Sequence, residues 1–343
     1  MNEITPENAT LTCIVPGLNE QKNLDVLLPL LMMELQQLTS SYEIIVVDDG
    51  STDGTAASMT LWASKYPEIV YLQLSRNFGK EAALTAGLQA AKGQVVVCMD
   101  ADLQHPPSLI AKMFARWQQG VEMVYAVRAS RDGESWFKRW GTRLFYKLMR
   151  TSGGLEVPEN AGDFRLMDRI VVDALLMMPE RNRFMKGLFA WVGFQAEPML
   201  YIPPDRLHGN SYFNPLKLFR FALDGITAFT TWPLRLLSLV GTGLSLLSFM
   251  YGLYIVVSHL FYGDPVQGWT TLVTIVLFFA GINLISLGVL GEYIARIFGE
   301  VKNRPVYLVR RRVGSGLPQG AKSRGLAEGP VAAQDKGHAG NGD

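Results

Sequence analysis

Asp100-Ala101-Asp102 stands directly after the apolar run Val95-Val96-Val97-Cys98-Met99. Two carboxylates one residue apart at a strand end make a site for a hard divalent cation. Mg2+ is commonly held by one or two carboxylates together with substrate phosphate oxygens, and Gln104 adds a neutral oxygen nearby. The triplet alone is a weak signal, since the same residues would serve as a capping turn before Pro106-Pro107. Three other polar clusters also follow apolar runs: Asn19-Glu20, Asp48-Asp49 and Arg76-Asn77. Arg128, Arg131, Lys138 and Arg139 come after a fifth run. Their cations suit a phosphate group, and the planar guanidinium fork matches phosphate well. General attraction to anionic lipid explains them equally well.

These clusters need a scaffold that gathers them at one edge. Residues 11–15, 43–47, 69–74, 94–99 and 123–127 read as strands. Helical patterns begin with Leu24, Leu27, Leu28 and Leu31 and recur over 52–66, 80–91 and 107–118. Continuous apolar strands alternating with helices predict an α/β fold: a Rossmann-like, mostly parallel sheet with helices on both faces. Ligands bind such sheets at the carboxyl ends of the strands, where the polar clusters fall.

The chain has 343 residues and a net charge of +1, which gives no global pull toward nucleic acid. Cys13 and Cys98 read as buried strand thiols in a reducing compartment. The first ten residues are polar and acidic and do not read as a signal peptide. No charged residue occurs between Arg235 and His259, or between Asp264 and Glu292. Each stretch exceeds the ~20 residues that cross a bilayer core, so two spanning helices are expected. Arg235 precedes the first stretch, and Arg296, Lys302, Arg304, Arg310, Arg311 and Arg312 follow the second. The loop between them carries no Lys or Arg, so the positive-inside rule puts both termini in the cytoplasm. Residues 136–150 and 214–229 pair aromatic with basic side chains at helical spacing, as helices lying in the headgroup region do. The expected organisation is a catalytic domain over 1–212, an interface helix over 213–231, a two-helix membrane region over 232–312 and a disordered tail over 313–343.

In this order and on successive strand ends, four motifs resemble the nucleotide-sugar domain of inverting family 2 glycosyltransferases. They are Val15-Pro16-Gly17-Leu18-Asn19-Glu20, Asp48-Asp49-Gly50-Ser51-Thr52-Asp53-Gly54-Thr55, Ser75-Arg76-Asn77-Phe78-Gly79-Lys80 and Asp100-Ala101-Asp102. Asp100-Ala101-Asp102-Leu103-Gln104-His105-Pro106, Gly162-Asp163-Phe164-Arg165-Leu166 and Arg206-Leu207-His208-Gly209-Asn210-Ser211-Tyr212 narrow the resemblance. It then points to polyprenyl-phosphate glycosyltransferases, which include dolichol-phosphate mannosyltransferase and bactoprenol (undecaprenyl-phosphate) glucosyltransferases. The C-terminal pair of apolar stretches matches the bactoprenol branch, and the likeness spans roughly residues 10–312.

The resemblance implies a GT-A fold and a set of roles. Pro16, Asn19, Glu20, Asp48 and Asp49 would bind the donor, with Pro16, Glu20 and Asp49 on its base and ribose. Arg76 and Lys80 would steady the donor or pair with the acidic cluster. Asp100 would approach the donor, while Asp102 and Gln104 would hold Mg2+ or Mn2+ directly. Asp163 is implied as base or positioning group and Arg165 as a phosphate contact. Arg206 and Ser211 would belong to a loop covering the diphosphate. Implied partners are a nucleotide sugar (a UDP-sugar first), polyprenyl phosphate, membrane lipid and other copies of the chain, since relatives form tetramers. Two positions depart from the family pattern: Tyr212 stands where many relatives carry Lys, and Leu18 where many carry an aromatic residue.

UDP-glucose is the favoured donor, with UDP-aminoarabinose derivatives, UDP-N-acetylhexosamines and GDP-mannose as alternatives. A processive polysaccharide synthase would need Gln-x-x-Arg-Trp. Before the pairs Arg116-Trp117 and Arg139-Trp140, the corresponding residues are Met113 and Trp136. A non-catalytic membrane scaffold would have no reason to keep the whole acidic set. Two spans without intramembrane charge also argue against a transporter.

Overall fold

The computed structural model describes residues 9–128, 161–181, 183–202, 232–262 and 268–318. These form two compact units, one holding the sheet and the chain from 305 onward, the other holding the two longest helices.

The first unit begins with β1 (Leu11–Gly17), α1 (Gln21–Leu38), β2 (Tyr42–Asp48), α2 (Thr55–Lys65), β3 (Ile69–Leu74), α3 (Lys80–Ala90), β4 (Val95–Cys98) and α4 (Leu109–Gln118). It continues with β5 (Met123–Arg128), β6 (Ala161–Asp168), α5 (Arg169–Met177), α6 (Met185–Trp191) and β7 (Ala196–Tyr201). The second unit contains α7 (Trp232–Tyr262) and α8 (Trp269–Val301), and the chain then returns to the first as β8 (Val309–Val313).

The sheet order is β7-β5-β6-β4-β1-β2-β3-β8. β1 pairs in parallel with both β2 and β4, and β2 with β3. Their residues are buried almost throughout because helices cover both faces, which is why these strands read as unbroken apolar runs. Leu24, Leu27, Leu28, Leu31 and Leu35 form the buried stripe of α1. Each fully buried leucine contributes about 1.5–3 kcal/mol. The buried face of α3 is built from small residues, among them Ala82, Ala83 and Ala86, so the helix lies close on the sheet. Helix α2 starts at Thr55 rather than at 52, because Asp53 Oδ1 accepts from both the Thr55 backbone N–H and its hydroxyl, which makes a turn first. Cys13 and Cys98 are buried free thiols; burial pushes both upward, Cys98 to about 12.

Three strands were not expected from the sequence: β7, which pairs in parallel with β5, and β6 and β8, which run against their neighbours. β6 lies between β4 and β5 and is antiparallel to each. It therefore starts, rather than ends, at the edge where the polar clusters gather. β8 pairs antiparallel with the outer edge of β3. This corrects the disordered tail expected from 313, since order continues to Leu317. That side chain is buried, and its backbone N–H donates to Glu43 Oε2 at 2.9 Å. The expected end of the membrane region at 312 is corrected in the same way, because residues from 305 belong to the sheet unit.

In the second unit, α7 has 31 residues and α8 has 33. At 1.5 Å per residue each exceeds the ~30 Å of a bilayer core. Helix α8 outruns the uncharged stretch and carries an i,i+4 pair between Glu292 and Arg296 at 3.4 Å. Among the described residues, Phe278–Val301 is long and apolar enough to cross a membrane. Its large side chains Leu284, Ile285 and Val301 are exposed.

Candidate active site

The loops after β1, β2, β3 and β4 enclose a cavity of about 360 Å3. Pro16 and Glu20 line it from the first loop, Asp49 from the second, and Asn77, Gly79 and Lys80 from the third. Asp100, Ala101 and Asp102 line it from the fourth. The expected convergence of strand-end motifs is therefore realised for these residues.

The loops are tied to one another by carboxylates that accept from backbone N–H groups. Asp49 accepts from Phe78 N (2.7 Å) and Gly79 N (2.9 Å), fixing the third loop from the second. Burial pushes its carboxyl above the ordinary range despite these donors. Next to it, Gly50 sits at φ 78°, and a Cβ there would lie 2.5 Å from the Arg76 carbonyl carbon. Only glycine allows this approach of two backbones. Glu20 accepts from Asn23 Nδ2 at 2.6 Å, and burial raises its carboxyl as well.

Lys80 is the hub of the charged centre. Its Nζ lies 2.6 Å from Asp100 Oδ1 and 2.6 Å from Asp163 Oδ2. One ammonium thus joins the end of β4, the start of α3 and the start of β6. Burial pushes Asp100 upward, but the His105 ring and the Lys80 ammonium pull harder, and its carboxyl ends well below the usual range. Asp163 is also lowered, because Lys80 outweighs its burial. The two acids in turn hold Lys80 well above the ordinary lysine value. Asp102 Oδ1 accepts from Gln104 N at 3.2 Å across a turn whose middle residue, Leu103, has φ 59°. A leucine in left-handed backbone is strained, and it aims the second carboxylate of the triplet into the cavity.

Residues 12–176 match the family model described as Glycosyl transferase family 2, and residues 232–297 match the GtrB C-terminal hairpin. The chain is 42% identical over 302 residues to the SfII prophage-derived bactoprenol glucosyl transferase of Shigella flexneri, covering 88% of this chain and 97% of that one. This chain is a family 2 glycosyltransferase. An uncharacterised glycosyltransferase of Synechocystis is 44% identical, over 87% of this chain and 94% of its own length. A prophage bactoprenol glucosyl transferase homologue of Escherichia coli is 39% identical, over 88% and 98%. Glucosyl-3-phosphoglycerate synthase of Mycobacterium tuberculosis, solved with Mn2+, UDP and phosphoglyceric acid, overlays with a TM-score of 0.44 at 21% identity, over 64% of this chain and 76% of that one.

Several side chains of the transferase sit elsewhere than the family motifs imply. Asp48 is fully buried; Ser51 N donates to one of its oxygens (2.7 Å) and the Tyr71 hydroxyl to the other (2.6 Å). It faces β3 and braces the loop from behind. Asn19 accepts from Thr52 N (2.8 Å) and Asp53 N (3.3 Å), so its oxygen joins the first two loops. Arg76 lies over the Phe78 ring at 4.0 Å and donates to the Asn77 carbonyl, outside the cavity lining. Gln104 is largely buried, and its Oε1 accepts from Arg128 Nη2 at 2.8 Å, which uses one of the two lone pairs of that oxygen. Arg165 is buried behind the site. Its Nη2 donates to the Gly162 carbonyl (2.8 Å), and its guanidinium lies 3.4 Å from the centre of the Phe189 ring. Burial lowers it to about 10, and it supports the start of β6 instead of reaching toward a phosphate.

Arg128 reaches Gln104 and, at 3.4 Å, the Tyr201 hydroxyl. Arg131, Lys138, Arg139, Arg206 and Ser211 lie outside the described residues, as do the two amphipathic stretches. Two groups beside the site carried no sequence assignment. His105 is buried between the Phe164 and Tyr201 rings, with Nε2 3.7 Å from Asp100. Glu81 accepts from Met185 N at 3.2 Å, and burial raises it to about 7. His105 lay within a quoted motif, whereas Glu81 had no local signal.

Proposed function

We propose that this transferase moves glucose from UDP-glucose onto undecaprenyl phosphate, with inversion, giving a lipid-linked monosaccharide for cell-envelope glycan modification. The observation that carries the reading is the open cavity with Asp100 and Asp102 on one wall and Glu20 and Asp49 on another. The names of the Shigella and E. coli relatives support the acceptor and the sugar. A UDP-aminoarabinose derivative, a UDP-N-acetylhexosamine or GDP-mannose would fit the same residues, so the donor is settled by assay.

Glu20 and Asp49 offer free lone pairs to ribose hydroxyls and base N–H groups. Asp100 and Asp102 fit a hard cation shared with the donor diphosphate. Among the described residues no cluster of three or more His, Cys, Asp or Glu side chains forms a closed cage. A bound Mg2+ or Mn2+ would supply charge neutralisation for the UDP leaving group. Lys80 holds Asp163 and Asp100 in register beside that position. The acceptor phosphate, with a second pKa of about 6, is already dianionic at neutral pH. Asp163, kept ionised by Lys80, therefore suits a positioning duty better than proton abstraction. Arg128, with Arg131, Lys138 and Arg139, would offset the meeting of two anions. Arg206 and Ser211 would close over the diphosphate.

α7 and α8 would each span the cell membrane, with the catalytic unit and both termini in the cytoplasm, and copies of the chain would assemble as a tetramer. The test is transfer of labelled sugar from a panel of nucleotide sugars to undecaprenyl phosphate, with Mg2+ or Mn2+ and with chelator. Metal-dependent labelling of the lipid from UDP-glucose alone is expected, with Asp102→Asn losing ~10³-fold. Equal behaviour of the wild type and Asp102→Asn with every donor would end the reading in favour of a scaffold.

A further inference from the structure

We propose that the segment after α8, from Pro305 to Leu317, is a positioning strap for the donor-binding loop. The inference rests on the reading of the cavity as a nucleotide-sugar site. The loop in question, Ser75 to Lys80, hangs between β3 and α3 and presents Asn77, Gly79 and Lys80 to the cavity. Nothing in the catalytic chemistry requires a residue as far along the chain as Leu308 to touch Ser75, yet the strap holds this unit at both ends.

At the loop's start, Ser75 N donates to the Leu308 carbonyl at 2.8 Å. Along β3, β8 forms a ladder from Tyr71 opposite Val313 to Leu74 opposite Val309. At the far end of α3, the Tyr307 hydroxyl donates to Gln89, and Lys92 Nζ donates to the carbonyls of Ser315 (3.1 Å) and Leu317. The strap is itself anchored below the sheet. Leu317 N donates to Glu43, a fully buried carboxylate that also accepts from Thr12 Oγ1 (2.8 Å) and Lys92 N (2.8 Å). Gly314 turns the chain toward this anchor at φ 89°, and a Cβ there would lie 2.1 Å from the Ile69 carbonyl oxygen. A side chain at 314 must therefore push the strap off β3.

β3, the loop and α3 carry four cavity residues, Asn77, Gly79, Lys80 and Ala83, so loosening the strap frees the loop and weakens the donor site without touching a group that contacts donor. The test uses the full-length protein in nanodiscs, with UDP as the titrant and hydrogen exchange of residues 69–80 as a second readout. In Gly314→Val, exchange over this segment rises, and the Kd for UDP increases ~10-fold. The KM for undecaprenyl phosphate and kcat at saturating donor stay close to wild type. Tyr307→Phe, which removes one hydroxyl and keeps the ring, gives a smaller rise of about threefold. If Gly314→Val does not fold, the Tyr307→Phe result decides. Wild-type affinity for UDP in a variant whose strap exchanges freely overturns the strap, as does a loss shared equally by donor and acceptor. Absence of UDP binding by the wild type overturns the donor reading instead.

Discussion

The two halves of the sheet are held together by different means. In the half formed by β3, β2, β1 and β4, the polar residues at the strand ends are secured mainly by backbone donors. Asp49 accepts from Phe78 and Gly79, Asp48 from Ser51, and Asn19 from Thr52 and Asp53. In the half formed by β6, β5 and β7, the connections run between side chains. Lys80 bridges to Asp163, Arg128 to Gln104 and Tyr201, and Arg116 to Glu197. Backbone-tied loops keep their shape as long as the sheet persists. Side-chain ties depend on ionisation and on single residues. The loops that line the cavity are thus held by the sheet itself, whereas the ties of the other half rest on single side chains.

Removing the Lys80 cation, which links the halves, should break this contrast most strongly. Lys80→Met leaves Asp100 and Asp163 without their shared ammonium, and a fall of ~10²-fold in kcat/KM for sugar transfer is expected. The lysine is what lowers Asp163 against its burial, so without it that carboxyl rises. The acid limb of the pH–rate profile should then move to higher pH. A profile unchanged in position would show that the bridge plays no part in turnover.

Arg165→Ala attacks the second half from beneath. It strips the Gly162 carbonyl of its donor and the Phe189 ring of its stacked partner. A loss of ~2 kcal/mol or more in stability is expected from chemical denaturation. Glu81→Gln sharpens the comparison through pH. Glu81 holds its proton up to about 7 in the folded state but only to about 4.5 when unfolded. Between those values the folded state binds more protons, so this group's contribution to stability falls as pH rises through that window. The Gln variant should show a flatter melting temperature between about pH 5 and about pH 8. Smallest of all should be Arg116→Ala. Its pair with Glu197 is exposed, and exposed pairs contribute below about 1 kcal/mol, within reach only of a careful double-mutant cycle.

The same contrast explains what the sequence made legible. The first four strands are covered on both faces, so their apolar runs stand out and their expected limits fall within two residues of the observed ones. β6 hides because the charged Asp163 and Arg165 interrupt its apolar pattern, so that it reads as a polar motif. β8 hides because an edge strand can leave Arg310, Arg311 and Arg312 in solvent, and Val-Arg-Arg-Arg-Val reads as a basic flank of a membrane helix. Most cavity-lining acids were legible from their place after apolar runs. The inward turn of Asp48 and the burial of Arg165 were not, since both depend on partners distant in sequence, Tyr71 and Phe189. The tie of Gln104 to Arg128, on another strand, was hidden for the same reason.

Val127 and Ala161 are register partners where β5 ends and β6 begins. The chain between them leaves the sheet and re-enters it through a single doorway. A change of length between the two posts leaves the register of both strands as it is. Both posts of the doorway stand beside working groups, Arg128 on one side and Asp163 on the other. The strand ends that line the cavity lie outside this doorway, so descendants of this chain can vary in sequence between its posts while the cavity is inherited intact.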